Sequence, residues 1–302
     1  MGLESSMELE SSFESVSSVG SKKRFIIYIC FVVLILAFII CIAHLNDVNT
    51  VRLPILMYHH VVDGGDPASS ISAEMFESHM KALSTAGYTV VSFEDLRDYV
   101  EIGTPLPDRP IVLTFDDGYM SVYDSAFPVL RDYGMKATVF VIGVFYGESV
   151  YKGANYLQIT PHFGDVEVAD MVASGLVSIQ SHSYDMHQFE PYEAGIPRKG
   201  ILRRSDESKK EYIEAFAADY ALAADQIENA AGARPFVYSY PFGRRTRQAE
   251  RLLKEAGIDV TVITTADFGV VIRGAPGSLY NLGRFNVRGD MSAEELLAMI
   301  AP

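Results

Sequence analysis

Two short stretches of the chain contain residue types that could hold a metal ion and assist a hydrolysis. One stretch reads TFDDGY and contains the neighbouring acids Asp116 and Asp117, and the other reads SHSYDMH and contains His182 and His187. Two imidazoles and one carboxylate are enough for an open metal site, and the second carboxylate is left over to act as a base. The two stretches together predict metal-assisted hydrolysis.

The first stretch follows an apolar run, Ile111–Phe115, which is typical of a buried strand. Parallel β/α folds gather catalytic groups where strands end at their carboxyl side. Neighbouring strand residues point in opposite directions, so one acid could bind metal while the other handles protons. Taken alone, the motif fits a turn that caps the following helix equally well.

The second stretch also follows a candidate strand, Val177–His182. His182 and His187 are five residues apart, which would separate them by about 140° on a helix and place them on opposite faces of a strand. They converge only if His182 ends the strand and His187 follows a turn. The alternative is a pair of unrelated histidines, one of them a core residue.

Repeated units of helix, glycine and strand follow from residue 53 onward. Glycines such as Gly134 and Gly232 end helical stretches, because glycine adopts the left-handed conformation of a helix terminus at low cost. The repeats predict an α/β fold, a distorted (β/α) barrel of seven or eight strands, with an open doubly wound sheet as the alternative. The predicted strands are 55–59, 89–93, 111–115, 137–142, 177–182, 236–240, 259–265 and 282–287, and the predicted helices are 73–86, 121–133, 165–174, 207–231, 246–256 and 292–300.

The composition limits the class of partner. The 302 residues carry a net charge of −14, and such an acidic chain is a poor ligand for nucleic acid, which requires basic patches. The two cysteines, Cys30 and Cys41, both fall inside one apolar segment near the start of the chain. The rest of the chain therefore has no disulfides, and its metal ligands must be His, Asp or Glu.

That apolar segment, residues 25–43, is 19 residues long and uncharged. Its length as a helix matches a bilayer core of about 30 Å. The basic triplet before it predicts a cytoplasmic N-terminus, with the remainder of the chain outside the cell membrane. A cleaved signal peptide and a lipoprotein site at Cys41 are the alternatives.

The predicted organisation therefore has four parts. Residues 1–24 form a disordered cytoplasmic tail, residues 25–43 a transmembrane anchor, residues 44–52 a linker and residues 53–302 the catalytic domain. The expected localisation is the cell membrane, single-pass, with the catalytic domain extracytoplasmic.

The paired motifs resemble those of polysaccharide deacetylases, carbohydrate esterase family 4, and the resemblance covers Leu53 to about Val287. It implies that Asp116 is the general base and that the metal ligands are Asp117, His182 and His187. The sequence Tyr-Pro-Phe-Gly at 240–243 resembles a further family motif. That motif implies that the backbone N–H of Phe242 helps to form the oxyanion hole, and a rigid Pro-Gly turn is an equally good interpretation.

One departure from the family pattern concerns the general acid. The family usually carries a late histidine in this role, but no histidine follows His187 here. The opening motif LMYHHV resembles a rearranged branch that includes poly-N-acetylglucosamine deacetylases, in which the acid comes from the first strand. The resemblance implies that His59 is the acid and that His60 is structural. Asp267 is a candidate to tune His59, and Arg284 is expected to be an exposed ion-pairing residue, with orientation of Asp116 as its alternative role.

The expected activity is the metal-dependent removal of N-acetyl groups from N-acetylglucosamine in a cell-envelope glycan polymer. Zinc is the expected ion, and the mixed nitrogen and oxygen ligands also suit cobalt, nickel or manganese. Peptidoglycan is the first expected substrate, followed by poly-N-acetylglucosamine and then chitin oligomers. A non-catalytic glycan-binding module that retains the fold is the alternative from another functional class.

Overall fold

The computed structural model describes residue 28 and residues 31–35, 49–151, 157–188 and 197–301, in two compact units, 1–50 and 51–302. In the first unit, Tyr28 and residues 31–35 are helical. The predicted tail and most of the predicted membrane segment lie outside the described residues, as does the first part of the predicted linker. Within the described ranges, no helix has both the length and the apolar character needed to cross a bilayer.

The second unit alternates strands and helices along the chain, as the sequence predicts. The strands are β1 Thr50–Leu53, β2 Ile55–Tyr58, β3 His60–Val61, β4 Ser70–Ile71, β5 Thr89–Val90, β6 Pro110–Phe115, β7 Ala137–Val141, β8 Val150–Tyr151, β9 Leu157–Gln158, β10 Val177–Ser181, β11 Val237–Ser239, β12 Val260–Val262, β13 Gly269–Ile272 and β14 Phe285–Asn286. The helices are α1 Ala73–Thr85, α2 Phe93–Glu101, α3 Phe127–Tyr133, α4 Asp165–Ala173, α5 Lys209–Ala231, α6 Arg247–Glu255 and α7 Ala293–Met299.

The central sheet is parallel and curled. Its strands run in the order β12-β11-β10-β7-β6-β2-β14, and the short β5 pairs with β6. A parallel bridge between Val262 and Leu282 joins the β12 edge to the residues before β14, with N–H···O distances of 2.9 Å on both sides of the bridge. The α/β class and the curled parallel sheet agree with the prediction, and the sheet is a half-barrel of seven strands.

The strands are apolar on both faces. Leu113 and Phe115 of β6 pack in a cluster with residues of α1 and α3, whereas Val112 packs in a second cluster on the opposite face. Thr114, which follows Val112 in the alternation, donates a hydrogen bond from its hydroxyl to the carbonyl of Leu56 at 2.7 Å. Because side chains alternate, Asp116 continues the face of Thr114.

The strand registers place the predicted site residues side by side. Tyr58 pairs with Phe115, and Ser181 pairs with both Val141 and Tyr238. The residues that follow these strand ends therefore lie at one edge of the sheet. They are His59, Asp116, His182 and the end of β11 at Ser239.

The helix α2 differs from the sequence prediction. The expected strand 89–93 ends at Val90, and α2 begins at Phe93. The hydroxyl of Ser92 accepts a hydrogen bond from the N–H of Asp95, and the Asp95 carboxylate accepts one from the N–H of Ser92. This capping box starts the helix directly after the strand, and its serine and its acid three residues later were visible in the sequence.

The residues between β7 and α4 also differ in part. The sequence predicts a long loop over residues 144–163, but β8 and β9 form an antiparallel pair within it. Two further short pairs, β1 with β13 and β3 with β4, were not predicted, since strands of two to four residues give little periodic signal. The segment nevertheless lies beside the site, as expected.

The long helix α5 packs on the barrel along one face. Its Ser208 N-cap accepts from the N–H of Glu211, and its C-terminus ends at Gly232 in the left-handed conformation. In the segment before it, Arg203 is exposed, whereas Arg198 is buried and donates to both carboxylate oxygens of Glu207 at 2.9 and 2.7 Å. This ion pair fixes the chain that leads into α5.

Candidate metal centre and active site

Three side chains converge at the carboxyl edge of the sheet. Nε2 of His182 lies 3.7 Å from Oδ1 of Asp117, and Nε2 of His187 lies 3.8 Å from the same oxygen. One ligand atom from each residue lies within 4.8 Å of the others. These separations suit three ligands that each bond a common ion at about 2.0–2.2 Å.

The Asp117 carboxylate itself points to a cation. Its Oδ1 is buried and has no hydrogen-bond partner among the described residues. A buried carboxylate oxygen without a partner is costly, and a divalent ion between it and the two imidazoles would remove that cost. The donor set of two nitrogens and one oxygen therefore fits the predicted metal ion.

Local backbone conformation produces this convergence. Asp117 has φ of +75° and Gly118 has φ of +85°, so the chain turns sharply as it leaves β6. His182 directly follows β10, and Ser183 has φ of +84° at the start of the turn that leads to His187. The geometry is the one the spacing requires, with one histidine at a strand end and the other after a turn.

Each imidazole is prepared to act as a ligand. Nδ1 of His182 lies 2.8 Å from the carbonyl oxygen of Ser239. A carbonyl only accepts, so Nδ1 carries the hydrogen and Nε2 presents its lone pair to the site. Burial lowers the pKa of His187 to about 4, so its ring is neutral at physiological pH, as metal binding requires.

Asp116 lies beside the three predicted ligands in a buried ion pair. Arg284 donates from Nη1 to Oδ1 and from Nη2 to Oδ2 of Asp116, each at 2.7 Å. The same guanidinium reaches the hydroxyls of Thr114 at 3.2 Å and Ser239 at 2.8 Å. Burial by itself would raise the pKa of Asp116. The charge and hydrogen bonds of Arg284, together with the nearby rings of His182 and His59, outweigh burial and hold this pKa well below its usual range.

The prediction that Arg284 is an exposed ion-pairing residue is therefore wrong. Its relative exposure is 0%. Phe285 packs in the cluster that contains residues of α1 and α3, so Arg284, one residue earlier, faces the opposite side of the sheet with Asp116. The alternative role given to Arg284 in the sequence analysis, the orientation of Asp116, is the one that agrees with the two hydrogen bonds between these side chains.

His59 follows β2 at the same edge of the sheet. It is partly buried, and its Nδ1 has no hydrogen-bond partner among the described residues. Because Tyr58 pairs with Phe115, His59 and Asp116 follow neighbouring strand ends. The structure thus brings His59 to the edge of the sheet that holds the predicted metal ligands, and its role as the acid stays a prediction. Asp267 is exposed and accepts from the N–H of Phe268 in its own turn.

We expect His59→Gln to lower the turnover number for acetate release by about 10²–10⁴-fold, the usual contribution of a general acid. The matched control is His60→Gln. His60 stacks on Tyr119 at a centroid distance of 4.7 Å and contacts the Ser121 hydroxyl. Steady-state kinetics on both purified variants checks the prediction, and equal activity of the His59 variant and the wild type would contradict it.

Phe242 has a strained backbone and an exposed ring. Its φ of +56° is left-handed, which is uncommon for an aromatic residue, and the turn is closed by N–H groups of Gly243 and Arg244 that donate to Tyr240 and Pro241. The ring lies 4.1 Å from the His187 ring by centroids and is 45% exposed. Phe242 is therefore at the site, and the predicted oxyanion contact of its N–H stays a prediction.

A small cavity lies next to the predicted metal ligands and gave no signal in the sequence. The cavity has a volume of about 80 Å³ and lies against Asp117 and His187. His162 is 5% exposed, and its ring is tilted against the Tyr119 ring at a centroid distance of 4.9 Å. Burial lowers the pKa of His162 to about 4. The isolated His162 offered no motif that could have assigned it to the site. The other lining residues are Ile142, Phe145, Ile159 and Thr160.

Comparison with known proteins agrees with this geometry. The sequence profile of the family described as "Polysaccharide deacetylase" matches residues 103–261, which are 159 of the 302 residues. The match contains Asp116, Asp117, His182 and His187. His59 and Arg284 lie outside it, before and after the matched residues.

Two curated relatives extend the similarity beyond the matched profile. The chain is 27% identical over 249 residues to a Bacillus subtilis (strain 168) protein named "Putative polysaccharide deacetylase YxkH", covering 82% of this chain and 76% of that protein. It is 25% identical over 219 residues to the poly-beta-1,6-N-acetyl-D-glucosamine N-deacetylase of Escherichia coli (strain K12). That match covers 68% of this chain but spans only 33% of the longer Escherichia coli protein.

Solved structures show the same fold. A de-N-acetylase from Aggregatibacter actinomycetemcomitans superimposes with a TM-score of 0.68 at 25% identity, covering 82% of this chain and all of that one. IcaB from Ammonifex degensii superimposes with a TM-score of 0.66 at 25% identity, covering 82% and 97% of the two chains. The family profile matches more than half of the chain, and the paired acids and histidines meet at one edge of the sheet. The chain therefore belongs to the polysaccharide deacetylase family.

Proposed function

We propose that this protein is a metal-dependent deacetylase that removes N-acetyl groups from N-acetylglucosamine residues of a cell-envelope polysaccharide. The observation that carries the proposal is the Oδ1 atom of Asp117, which has no hydrogen-bond partner in the described part of the chain and lies 3.7 and 3.8 Å from the Nε2 atoms of His182 and His187. Beside it, the Asp116 carboxylate is held ionised by Arg284. This combination of ligands and base suits amide hydrolysis better than simple glycan binding.

The proposed chemistry divides the work among the described residues. When bound by Asp117, His182 and His187, a divalent ion, zinc being the first candidate, supplies Lewis acidity toward the amide and its attacking water. Asp116 accepts the proton of that water, and its two hydrogen bonds from Arg284 fix which way its oxygens point.

The remaining steps are assigned to two residues at the rim of the site. The backbone N–H of Phe242 would stabilise the negative charge that develops on the amide oxygen. The His59 imidazole would give a proton to the departing nitrogen, since histidine is the side chain that most often acts as a general acid.

Within this substrate class we favour a β-1,6-linked N-acetylglucosamine polymer. The Escherichia coli relative is named as an N-deacetylase of that polymer, and the proposed acid His59 lies at the end of the first strand of the barrel sheet, as the resemblance to the rearranged branch implies. The initial order, with peptidoglycan first, is therefore reversed in this proposal. Peptidoglycan stays as a second substrate to be tested, because both polymers contain acetylated glucosamine.

The proposed location is the outer face of a cell membrane. The support is the uncharged apolar segment 25–43 with basic residues directly before it. A membrane anchor would keep the catalytic unit near envelope glycans. Fractionation of cells that express the full chain, with protease added outside intact cells, tests this proposal, and recovery of the chain in a protected soluble fraction would contradict it.

We expect acetate release from β-1,6-linked N-acetylglucosamine oligomers to stop on treatment with a chelator and to return on addition of zinc, cobalt, nickel or manganese. The thermal unfolding temperature should fall with chelation, since a metal at 100 times its dissociation constant stabilises a fold by about 2.7 kcal/mol. β-1,4-linked chitooligosaccharides and peptidoglycan serve as comparison substrates. Metal binding without acetate release from any of these polymers would favour a non-catalytic glycan-binding module.

A further inference from the structure

A carboxylate on the long helix α5 holds the turn that leads to His187. Asp219 lies near the middle of α5 and is 9% exposed. Its Oδ2 accepts a hydrogen bond from the N–H of Tyr184 at 2.9 Å, and its Oδ1 accepts one from the N–H of Asp185 at 2.6 Å. Both N–H groups belong to the turn that joins His182 to His187.

The other side of the same turn is held by the backbone after β7. The N–H of Gly143 donates to the carbonyl of Ser183 at 3.1 Å, and the N–H of Val144 donates to the carbonyl of Tyr184 at 2.9 Å. Ser183 has the left-handed conformation, which is costly for a residue with a side chain. The turn needs these outside contacts, because its own backbone conformation is unfavourable.

Burial of a carboxylate on an otherwise apolar helix face is costly unless other groups stabilise its charge. In the sequence of α5, Asp219 lies between Phe216 and Tyr220, which pack in a buried cluster. Burial raises the pKa of Asp219 to about 6, and the two N–H groups that it accepts from oppose this increase. Arg198 is the nearby cation that also favours its ionised form. At neutral pH the group is mainly ionised, and only a carboxylate can accept both N–H groups in charge-assisted hydrogen bonds.

We propose that Asp219 is a positioning residue for the metal centre, which holds the turn 183–186 so that the His187 ring faces Asp117. This inference rests on the proposed function, because it takes Asp117, His182 and His187 as the metal ligands. His187 follows Asp185 by only two residues, so a rotation of the turn moves its ring directly. Groups that orient metal ligands from behind typically change metal affinity by about 10–100-fold when they are removed.

The test compares Asp219→Asn with Asp225→Asn in the full chain. Asparagine keeps the shape of Asp219 but has one acceptor oxygen, so it can satisfy only one of the two N–H groups. Asp225 lies on the same helix with a side chain that is 64% exposed, which makes it the matched control. We expect Asp219→Asn to weaken Co²⁺ binding by about 10–100-fold and to alter the visible absorption spectrum of bound Co²⁺, whereas Asp225→Asn behaves as the wild type.

Wild-type Co²⁺ affinity and an unchanged spectrum in Asp219→Asn would overturn the inference, even if that variant unfolds more easily. Failure of the wild type to bind Co²⁺ would also overturn it. If Asp219→Asn does not fold, amide hydrogen exchange of the wild type gives a second measurement. Slow exchange at Tyr184 and Asp185 is expected, and exchange as fast as in an exposed loop would contradict the two hydrogen bonds.

Two further measurements distinguish a failure of this inference from a failure of the proposed function. Asp116→Asn should lower acetate release by about 10²–10⁴-fold but retain Co²⁺ binding, because Asp116 is not one of the three proposed ligands. A wild type that binds Co²⁺ but releases no acetate would count against deacetylation alone. The Asp219 effect on affinity and spectrum would still be measurable in that case.

Discussion

Asp116→Asn is expected to reduce the turnover number for acetate release by about 10²–10⁴-fold, which is the usual contribution of a general base. The amide cannot accept the proton of water, and it also loses one of the two hydrogen bonds from Arg284, since its NH₂ group would face a guanidinium donor. Metal affinity should stay within a few-fold of the wild type, because the ligands Asp117, His182 and His187 are unchanged.

Acetate release and Co²⁺ titration on the same preparation check this prediction. Asp290→Asn is the matched control, because Asp290 also forms two hydrogen bonds with an arginine, Arg288, but in an exposed pair. A base variant with nearly full activity would remove Asp116 from the chemistry. A base variant that also loses metal would mean that Asp116 is a ligand as well.

Arg284→Met is expected to lower the free energy of unfolding by about 3–5 kcal/mol at neutral pH, the usual cost of removing one partner of a buried ion pair. Arg284 is fully buried and makes both of its shortest contacts with Asp116, so the variant leaves a buried carboxylate without its cation. Acetate release should fall as well, because the base loses the group that orients it.

Urea denaturation of the full chain measures this loss, with Arg288→Met as the control for an exposed arginine. The double variant Arg284→Met/Asp116→Asn should recover much of the stability, because it no longer buries an unpaired charge. If the double variant is no more stable than Arg284→Met alone, the loss comes from packing around Arg284, such as its contact with the Phe140 ring, and not from the ion pair.

The convergence of Asp117, His182 and His187 could be predicted because it depends on local rules. An apolar strand that ends in two acids, and another that ends in a histidine, place polar groups at the carboxyl edge of a parallel sheet. His187 had to follow a turn in order to face His182, and the left-handed Ser183 supplies that turn. These conclusions need only the period of a strand and the direction of parallel strands.

Local signals also explain where the strand and helix predictions were wrong. The capping pair Ser92 and Asp95 marks the start of α2. The prediction relied on strand periodicity and did not use this pair. The pair β8 and β9 consists of two residues on each side, too few for an alternation to be visible.

The residues that support the site side chains could be identified only from the tertiary structure. Arg284 reaches Asp116 across 168 positions and Asp219 reaches Tyr184 across 35, so no spacing rule relates either pair. Motifs in the linear chain specify which groups could bind a cation and take a proton, because neighbouring residues set local conformation. The burial, charge and orientation of those groups depend on side chains brought in from distant strands and helices, since burial and long-range pairing arise only from packing.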